Sequence, residues 1–560
     1  MFIATYHQVL DPVSNSLFLS SLFALIPIVT LFVLIGGLRI AAYIAAPISL
    51  LLAILVAIII YSMPVGQTLD SGLEGAAFGI FPIMWIVWTA IWIYNMTEAT
   101  GHFAVLRRAF SSVSNDQRIQ AVIIAFCFGA LLEALAGFGT PVAITAVMLV
   151  AVGFKPIKAA SVALVANTAP VAFGAIAIPI VTLSGLTDIP KDDLGAMVGR
   201  QTPFLALFVP LILVGIVDGW RGVKAVWPAA LAGGITFGVA QFACSNYVSV
   251  ELTDIVASLL SAGAMVAMLR VWQPTDPLLG EGSGPGPRPA IAGAAIADAR
   301  HEEEIRRRDD DHADSKRDVW EAFAPYIIII AVFSIAQWGP IKDFLDGLTK
   351  AFDWPGLDIL NAKGKAPSSV EYKFNWANAA GTLLFVYGLL TMLVLRLGPG
   401  RSAGVFGKTL NQLKLATITV VSVLALAYVM NQSAQTLTIG NWIAGAGGVL
   451  AFFSSIIGWL GVAVTGSDTS SNSLFGVLQQ QAATKAHLDP LLLTAANSSG
   501  GVLGKMVSPQ NLAIGAAAVG LAGREGDLFR KVIGWSLLML LLMCILVYLQ
   551  STSVLGWMVG

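Results

Sequence analysis

Apolar runs long enough to cross a lipid bilayer recur along the whole of this 560-residue chain. A membrane-spanning helix needs about 20 consecutive apolar residues. Only 12% of the residues are charged, about half the share of a soluble domain, which excludes a water-soluble fold. We predict an all-α, polytopic membrane protein with twelve transmembrane helices, at 17–37, 40–62, 77–97, 158–183, 200–217, 224–242, 252–271, 320–339, 376–396, 412–430, 490–519 and 531–551.

Two further apolar stretches, 119–152 and 443–486, are interrupted in the middle by small and polar residues. Alternate loops are rich in Lys and Arg, which accumulate on the cytoplasmic side of a membrane. That alternation holds along the chain only if 119–152 enters and leaves the membrane by the same face. We therefore predict two re-entrant hairpins, the second opening to the opposite side, with both termini in the periplasm.

These elements divide the chain into seven expected segments. The segment 272–318 is rich in Gly and Pro and then in mixed charge, which favours a flexible cytoplasmic linker. The seven are an N-terminal helix pair (1–76), a first repeat core (77–195, with hairpin 119–152 and broken helix 158–183), helices of the first half (196–271), the linker (272–318), helices of the second half (319–411, with a periplasmic segment 337–375), a second repeat core (412–530, with hairpin 443–486 and broken helix 490–519) and a C-terminal helix (531–560).

Three sequence blocks occur in the same order in both halves. The first half has YNMTEATG, LLEALAGFGTPVAI and ANTAPVAFGAIAIP, and the second has YVMNQSAQT, TGSDTSSNSLFG and ANSSGGVLGKMVSP. Asn167, Gly174 and Pro179 recur 330 residues later, and Gly137 and Thr140 recur 329 residues later. The spans that precede the blocks run in opposite directions, so the repeats are predicted to be inverted. Inverted repeats place the substrate near the bilayer midplane, between discontinuous helices.

Three ionisable residues are predicted to lie inside the membrane: Glu133, Asp468 and Lys505. A charge there is costly and usually lines a transport pathway. Lys505 can bind an anionic substrate with help from half-helix N-termini, or it can form a permanent ion pair with Asp468 or Glu133. Glu133 is either a proton carrier, because burial disfavours its charged form, or a neutral acid hydrogen-bonded between helices.

Hydroxyl and amide side chains surround Asp468 at the second hairpin tip. They can bind a hydroxyl-bearing substrate or a cation, or they can satisfy their own backbone, as such residues do in turns. We assign proton coupling to Asp468 and Glu133. The predicted substrate-binding residues are Lys505, Asn167, Thr168, Asn497, Ser498, Ser499, Thr140, Thr469, Ser470, Ser471 and Asn472.

Motifs of other chemistry are missing from the sequence. It contains no Walker motif, HExxH or CxxC, and its three cysteines lie far apart. A net charge of −1 provides no basic field for nucleic acid,. We therefore expect no enzyme activity, no metal, no cofactor and no nucleic-acid partner.

Several sequence blocks, including those that recur in both halves, resemble a known family. LLEALAGFGTPVAI, ANTAPVAFGA, GRQTPF, VDGWRGVKAVWPAAL, WLGVAVTGSDTSSNSLFG and NSSGGVLGKMVSPQNLAIG resemble the bacterial lactate permease family of L-lactate and glycolate permeases, over nearly the whole length. The resemblance implies proton symport of L-lactate, D-lactate or glycolate across the bacterial inner membrane. It also implies kinship with carriers whose transport domain slides against a scaffold, often in a homodimer. The expected partners are thus the monocarboxylate, protons and the lipid bilayer.

Two other functions stay open at this point. One is a sodium-coupled carrier of larger carboxylates, since the oxygen-rich tip around Asp468 suits a hard cation. The other is an anion channel, although two symmetric breaks favour alternating access.

Overall fold

The computed structural model describes residues 5–278 and 315–559, apart from positions 39, 112, 136, 138, 337, 362–363, 368–369 and 522–523. Most of the predicted linker 272–318 therefore lies outside the described residues. The described chain is predominantly helical, as predicted. Four short strands are present: β1 (Tyr6–His7), β2 (Lys350–Asp353), β3 (Ile359–Leu360) and β4 (Glu371–Phe374).

The helices before the first hairpin are Leu17–Ala24, Ile26–Phe32, Ala42–Ile59, Val65–Phe78, Trp85–Ala99 and His102–Ser111, with π-helical turns at Val33–Gly37 and Gly79–Met84. The middle of the chain contains Lys191–Val198, Thr202–Ala206, Val209–Tyr247 and Thr253–Val271. The second half contains Lys316–Ala336, Gly339–Asp346, Ala380–Val394, Pro399–Gln432, Gln435–Ile443 and Glu525–Gln550, with 3-10 turns at Ala444–Val449 and Gly556–Met558.

The number of membrane spans differs from the sequence count. Within the described residues, nine helical stretches are long and apolar enough to cross a membrane, and eleven if each of two bent pairs is one span. Predicted spans 200–217 and 224–242 lie in one helical stretch, Lys191–Tyr247, which is interrupted at Asp218 and Gly219. Predicted span 376–396 is a helix of only 15 residues, Ala380–Val394. The count of twelve stays a prediction.

The first hairpin consists of a continuous helical arm and a shorter returning helix. The arm contains Gln117–Gln120, a π-helical stretch Ala121–Phe128 and Gly129–Leu135, and the returning helix is Thr140–Ala151. The returning helix packs back on the π-helical stretch. A broken helix follows: Pro156–Ala166, a 3-10 turn Val171–Phe173 and Gly174–Thr187, with a bend of 65°.

The second half contains the same pair of elements. The second hairpin consists of Leu450–Thr465 and Asp468–Lys485. The second broken helix consists of Pro490–Gly504, a 3-10 turn Lys505–Val507 and Pro509–Ala518. Its first part lies along Leu450–Thr465 so closely that backbones touch: a Cβ on Gly500 would lie 2.1 Å from the Ser455 carbonyl oxygen. Glycines at such a crossing permit close helix packing in membranes.

Contacts between loops define two ends of the helix bundle. At the strand end, β1 pairs in parallel with β3, β2 pairs with β4, Lys373 bridges to Asp188 at 3.3 Å and Arg200 donates to the carbonyl of Met558. Both terminal regions therefore lie at this end. At the opposite end, Arg118 bridges to Asp218 at 3.2 Å and Arg401 donates to the carbonyl of Ala99.

Two hydrophobic clusters hold the bundle together. The larger cluster includes the first hairpin, both broken helices and the helices 209–271. The smaller cluster joins the N-terminal helices 17–61 to residues 423–439 and to Leu474, Phe475 and Leu478 of the second hairpin. The hairpins and broken helices thus pack beside a wall made by the N-terminal helices and Pro399–Gln432.

Candidate substrate-binding site

A cavity of ≈ 990 Å³ lies where the hairpin tips and the helix breaks meet. One side is lined by both hairpins and both broken helices, including Glu133, Asp468 and Lys505. The other side is the wall, from which Tyr43 and Thr419 line the cavity. These side chains come together because both hairpin tips and both helix breaks line the same cavity.

Glycines with positive φ allow the chain to reverse direction at both hairpin tips. Gly139 has φ +82° and precedes the returning helix of the first hairpin, and Gly466 has φ +77° and ends the first helix of the second. Both angles are in the left-handed region that residues with a Cβ rarely occupy. A Cβ on Gly139 would also lie 2.4 Å from the Ile514 side chain of the second broken helix. The first tip therefore touches the second repeat.

Lys505 and Glu133 form a buried ion pair across the two halves of the chain. The Lys505 Nζ atom lies 2.5 Å from Oε1 of Glu133, and the two side chains are 8% and 3% exposed. Asn167 donates to the other carboxylate oxygen, Oε2, at 2.9 Å. Breaking such a pair by removing one partner leaves an uncompensated buried charge. The structure thus contains the ion pair that sequence reasoning set against substrate binding by Lys505.

Asp468 lies in the first turn of the helix Asp468–Lys485, at the second tip. Ser498 donates to its Oδ2 atom at 2.5 Å, whereas the buried Oδ1 atom has no hydrogen-bond partner among the described residues. The helix N-terminus provides partial positive charge, and the Lys505 ammonium acts on Asp468 electrostatically. Asp468 therefore has one carboxylate oxygen without a partner, and this oxygen is buried against Gly501 of the second broken helix.

The first helix break brings backbone close to Glu133. A Cβ on Gly174 would lie 2.9 Å from the Glu133 Oε1 atom, so only glycine fits there without displacing the carboxylate. The next three residues, Ala175, Ile176 and Ala177, have φ of 44°, 59° and 57°. Such left-handed angles cost energy for residues with a Cβ, and they cluster at functional sites.

The cavity opens toward the end opposite the strands. Its outer lining includes Ala42 and Glu525, which begin the helices Ala42–Ile59 and Glu525–Gln550. The latter helix finishes at the strand end, where Gln550 accepts from Gln201. The positive-inside pattern predicts that the opposite end is cytoplasmic. The described conformation is thus open toward the predicted cytoplasm.

The predicted site residues divide into three groups. Lys505, Glu133, Asp468, Thr469 and Ser470 line the cavity. Asn167 and Ser498 are behind it and hold the two carboxylates. The remaining predicted residues are not part of the cavity lining in this conformation: Thr140, Thr168, Asn497, Ser499, Ser471 and Asn472.

Three of these remaining residues, Asn497, Asn472 and Ser471, join helices to one another. Asn497 donates to Asn472 at 2.8 Å, and Asn472 donates to the carbonyl of Pro179 in the first broken helix. Thr168 and Ser471 bond to backbone carbonyls. Contacts that bury their polar groups between helices explain why they do not face the cavity.

Sequence reasoning missed two buried acids. Glu74 and Asp254 are completely buried, so three is too small a count of ionisable residues inside the bundle. Glu74 lies on the helix Val65–Phe78, which was not predicted because its polar residues hide an apolar pattern. Asp254 lies at the start of predicted span 252–271, where a surface position was the simpler expectation. Tyr43 and Thr419 were also missed, since they lie in ordinary apolar runs.

Two hairpins and two broken helices that meet at a buried ion pair, within a bundle of apolar helices, define a secondary membrane transporter rather than an enzyme. Residues 20–554 match the L-lactate permease family. The chain belongs to this family, and it is a multi-pass membrane protein, in agreement with the predicted bacterial inner membrane.

Named relatives cover the whole chain. It is 40% identical to the L-lactate permease of Bacillus subtilis (strain 168), across 99% of both proteins. It is also 40% identical to the glycolate permease GlcA of Escherichia coli (strain K12), across 99% of this chain and all of that protein. The resemblance noted in the sequence is thereby confirmed.

Solved structures with a similar course of the chain include MtrF of Neisseria gonorrhoeae, with a TM-score of 0.45, 16% identity and coverage of 88% of this chain and 85% of that one. The YdaH transporter of Alcanivorax borkumensis has a TM-score of 0.43 and 14% identity, covering 87% of this chain and 88% of that one.

Proposed function

We propose that this chain carries L-lactate, D-lactate and glycolate, each together with a proton, across the bacterial inner membrane. The proposal rests on the names of its relatives and on one observation, the buried Lys505–Glu133 ion pair in the cavity. We further propose that the two repeats are inverted and alternate access to that cavity.

The substrate carboxylate binds Lys505. Among the described residues that line the cavity, Lys505 is the one base, and a buried ammonium attracts an anion strongly where water is scarce. The substrate hydroxyl, which lactate and glycolate share, binds beside Asp468, which lines the cavity. Thr469 and Ser470 add hydroxyls at the N-terminus of the same helix.

Proton coupling follows from competition for Lys505. With Glu133 ionised, its carboxylate already occupies the ammonium, and an entering anion adds an uncompensated negative charge to a buried site. A proton on Glu133 removes that charge and releases Lys505 for the substrate. Burial of an unpaired charge is costly, so the anion and the proton bind together. Asp468 is the second proton-coupling residue in this proposal.

The test is uptake into proteoliposomes that contain the purified protein. We expect an inward proton gradient to drive accumulation of labelled L-lactate, and unlabelled D-lactate and glycolate to compete with it. Protein-free liposomes measure passive entry of the protonated acid, which is subtracted. Uptake that is indifferent to the proton gradient would refute proton coupling.

Sodium coupling is the second candidate, because Asp468 lines the cavity together with the hydroxyl residues Thr469 and Ser470, and oxygen ligands suit a hard cation. Uptake measured at fixed pH with and without a sodium gradient distinguishes sodium coupling from proton coupling. Dependence on sodium alone would favour the second candidate.

An anion channel, the other function left open by the sequence, would conduct without saturation or counterflow exchange. The homodimer stays a prediction.

A further inference from the structure

A buried carboxyl lies behind the transport site, outside the cavity. Asp254 is the second residue of the helix Thr253–Val271 and is completely buried. Its Oδ1 atom accepts a hydrogen bond from Nε2 of Gln241 at 2.9 Å. Its Oδ2 atom has no hydrogen-bond partner among the described residues. An ionised carboxylate with one bare oxygen is unstable in such surroundings, so the site accommodates the protonated form.

One side chain connects Asp254 to the first helix break. The Nε2 atom of Gln241 also donates to the carbonyl of Ala169 at 3.2 Å, and the hydroxyl of Thr202 donates to its Oε1 atom at 3.1 Å. These contacts fix which end of the amide is the donor. Ala169 lies in the break two residues after Asn167, which donates to Glu133.

Asp254 and Glu133 also affect each other directly. The helix Thr253–Val271 packs against Gly129–Leu135, which carries Glu133, and the two carboxyls interact electrostatically. Two other titratable groups are near Asp254: the Cys244 thiol, on the helix of Gln241, and Glu251 in the preceding loop, which pairs with Lys191. Among these surroundings, Glu133 is the group that also contacts the substrate-binding lysine.

We propose that Asp254 is a second proton-binding carboxyl of the transport site, which takes up and releases a proton in concert with Glu133. This inference rests on the proposed proton coupling. Two nearby carboxyls cannot both ionise cheaply, because each charge repels the other. Their protons then bind in two steps that belong to the pair rather than to either residue. A proton held at Asp254 is kept apart from the substrate, since Asp254 does not line the cavity.

The variant Asp254→Asn tests the proposal because its amide oxygen still accepts from Gln241 while the charge is gone. Uptake of labelled L-lactate into proteoliposomes is measured across external pH. In the proposed pair, a charge on either carboxyl favours a proton on the other. Without that charge, we expect the pH of half-maximal uptake to move toward acid by about one unit. Lactate counterflow at acidic pH, where the site is protonated, should persist.

A matched control is Asp276→Asn, which removes an exposed acid at the opposite end that bridges to Arg221. For Asp276→Asn, we expect the pH of half-maximal lactate uptake to equal that of the wild type. An Asp254→Asn midpoint equal to that of the wild type would overturn the proposal, because the carboxyl would then be a purely structural hydrogen-bond acceptor. If Asp254→Asn does not fold, Asp254→Ser is measured with the same expectations. A wild type without any proton-driven uptake would instead refute the proposed function itself.

Discussion

At the scale of single residues, the two acids in the cavity differ in how completely their oxygens are satisfied. Both oxygens of Glu133 have a partner, from Lys505 and Asn167. Asp468 has one partner, Ser498, and one oxygen without any. Glu133 therefore competes with the substrate for the base, whereas Asp468 has no base as a hydrogen-bond partner and is held by Ser498. The sequence indicated which acids matter but not this division of roles.

Replacing Glu133 by Gln should uncouple transport from protons. The amide keeps its shape and an oxygen for hydrogen bonds but no longer neutralises Lys505, so the substrate anion provides the missing charge. We expect lactate affinity at alkaline pH to rise about tenfold, equal to ~1.4 kcal/mol, and to lose most of its pH dependence. Binding to the purified protein at several pH values measures this. Proton-driven accumulation should be lost while counterflow persists, and wild-type accumulation in this variant would contradict the role of Glu133.

Replacing Lys505 by Met should abolish lactate binding. The variant leaves the Glu133 carboxylate buried without a counter-charge, which costs about 3–5 kcal/mol, so loss of stability is expected as well. The double variant Lys505→Met with Glu133→Gln separates the two effects. We expect it to recover thermal stability yet to bind no lactate in calorimetry. Binding by the double variant would remove Lys505 from the substrate site.

At the scale of helices and hairpins, the sequence predicted the interruptions better than the partners. Runs such as GFGTP and TGSDTSS cannot continue a helix, since Gly, Pro, Ser and Asp favour turns. One helix ends at Leu135 and the next begins at Thr140, on either side of the first run, and the break at 466–467 agrees with the second. The sequence offered Asp468 and Glu133 as partners of Lys505 but could not decide between them, because the pair joins the second broken helix to the first hairpin. No local pattern encodes contacts between elements so distant in the chain.

The contact between the second hairpin and the second broken helix should be sensitive to one added methyl group. A Cβ on Gly500 would lie 2.1 Å from the backbone oxygen of Ser455, and backbone cannot move aside cheaply. We expect Gly500→Ala to destabilise the protein by about 1–3 kcal/mol. Thermal unfolding of the purified protein measures it. Gly534→Ala, in a helix where nothing lies within 4 Å of the added Cβ, is the control, and equal melting temperatures would contradict the close packing.

The loop at the strand end contains an ion pair with a calculable pH response. Burial alone raises the pKa of Glu251, but the ammonium of Lys191 and a hydrogen bond from Ser249 outweigh it, so the pKa lies below its usual range. A lowered pKa stabilises the fold above the unfolded value of about 4.3, and this stabilisation is lost as pH falls through the folded value. We expect the melting temperature of Glu251→Gln at pH 7 to be a few degrees below that of the wild type. The difference should shrink as the pH falls below 4.3; a gap independent of pH would contradict the ion pair as its cause.

At the scale of the whole molecule, composition and charge alternation were sufficient for the class and the two ends. The strand end joins regions far apart in sequence, residues 5–8 with 358–360, which the loop charges had grouped on one side. The number of membrane spans was harder to predict from the sequence. Counting apolar runs of about twenty residues does not fit the long stretch Lys191–Tyr247 or the short helix Ala380–Val394. The wall of the cavity was missed because its residues are apolar helix residues like many others.

Access to the cavity from one side is testable with a single cysteine. The three native cysteines are buried, so no cysteine-free background is needed. We expect Thr419→Cys, in the cavity wall, to react with a membrane-impermeant maleimide in inside-out vesicles and not in intact cells, and lactate to slow the reaction. Ser553→Cys, exposed near the C-terminus at the strand end, should show the reverse pattern. Labelling of Thr419→Cys from the outside alone would contradict the predicted orientation.

The Lys505–Glu133 ion pair has no counterpart at the equivalent positions of the two repeats. By the repeat register, Lys505 corresponds to Ala175 and Glu133 to Val462, so the mirror-image position between the other two elements carries an alanine and a valine instead of opposite charges. In the proposed inverted repeat these two positions are equivalent by symmetry, yet one of them is charged and the other is apolar. With one charged position between the repeats, we expect the site to bind one anion at a time.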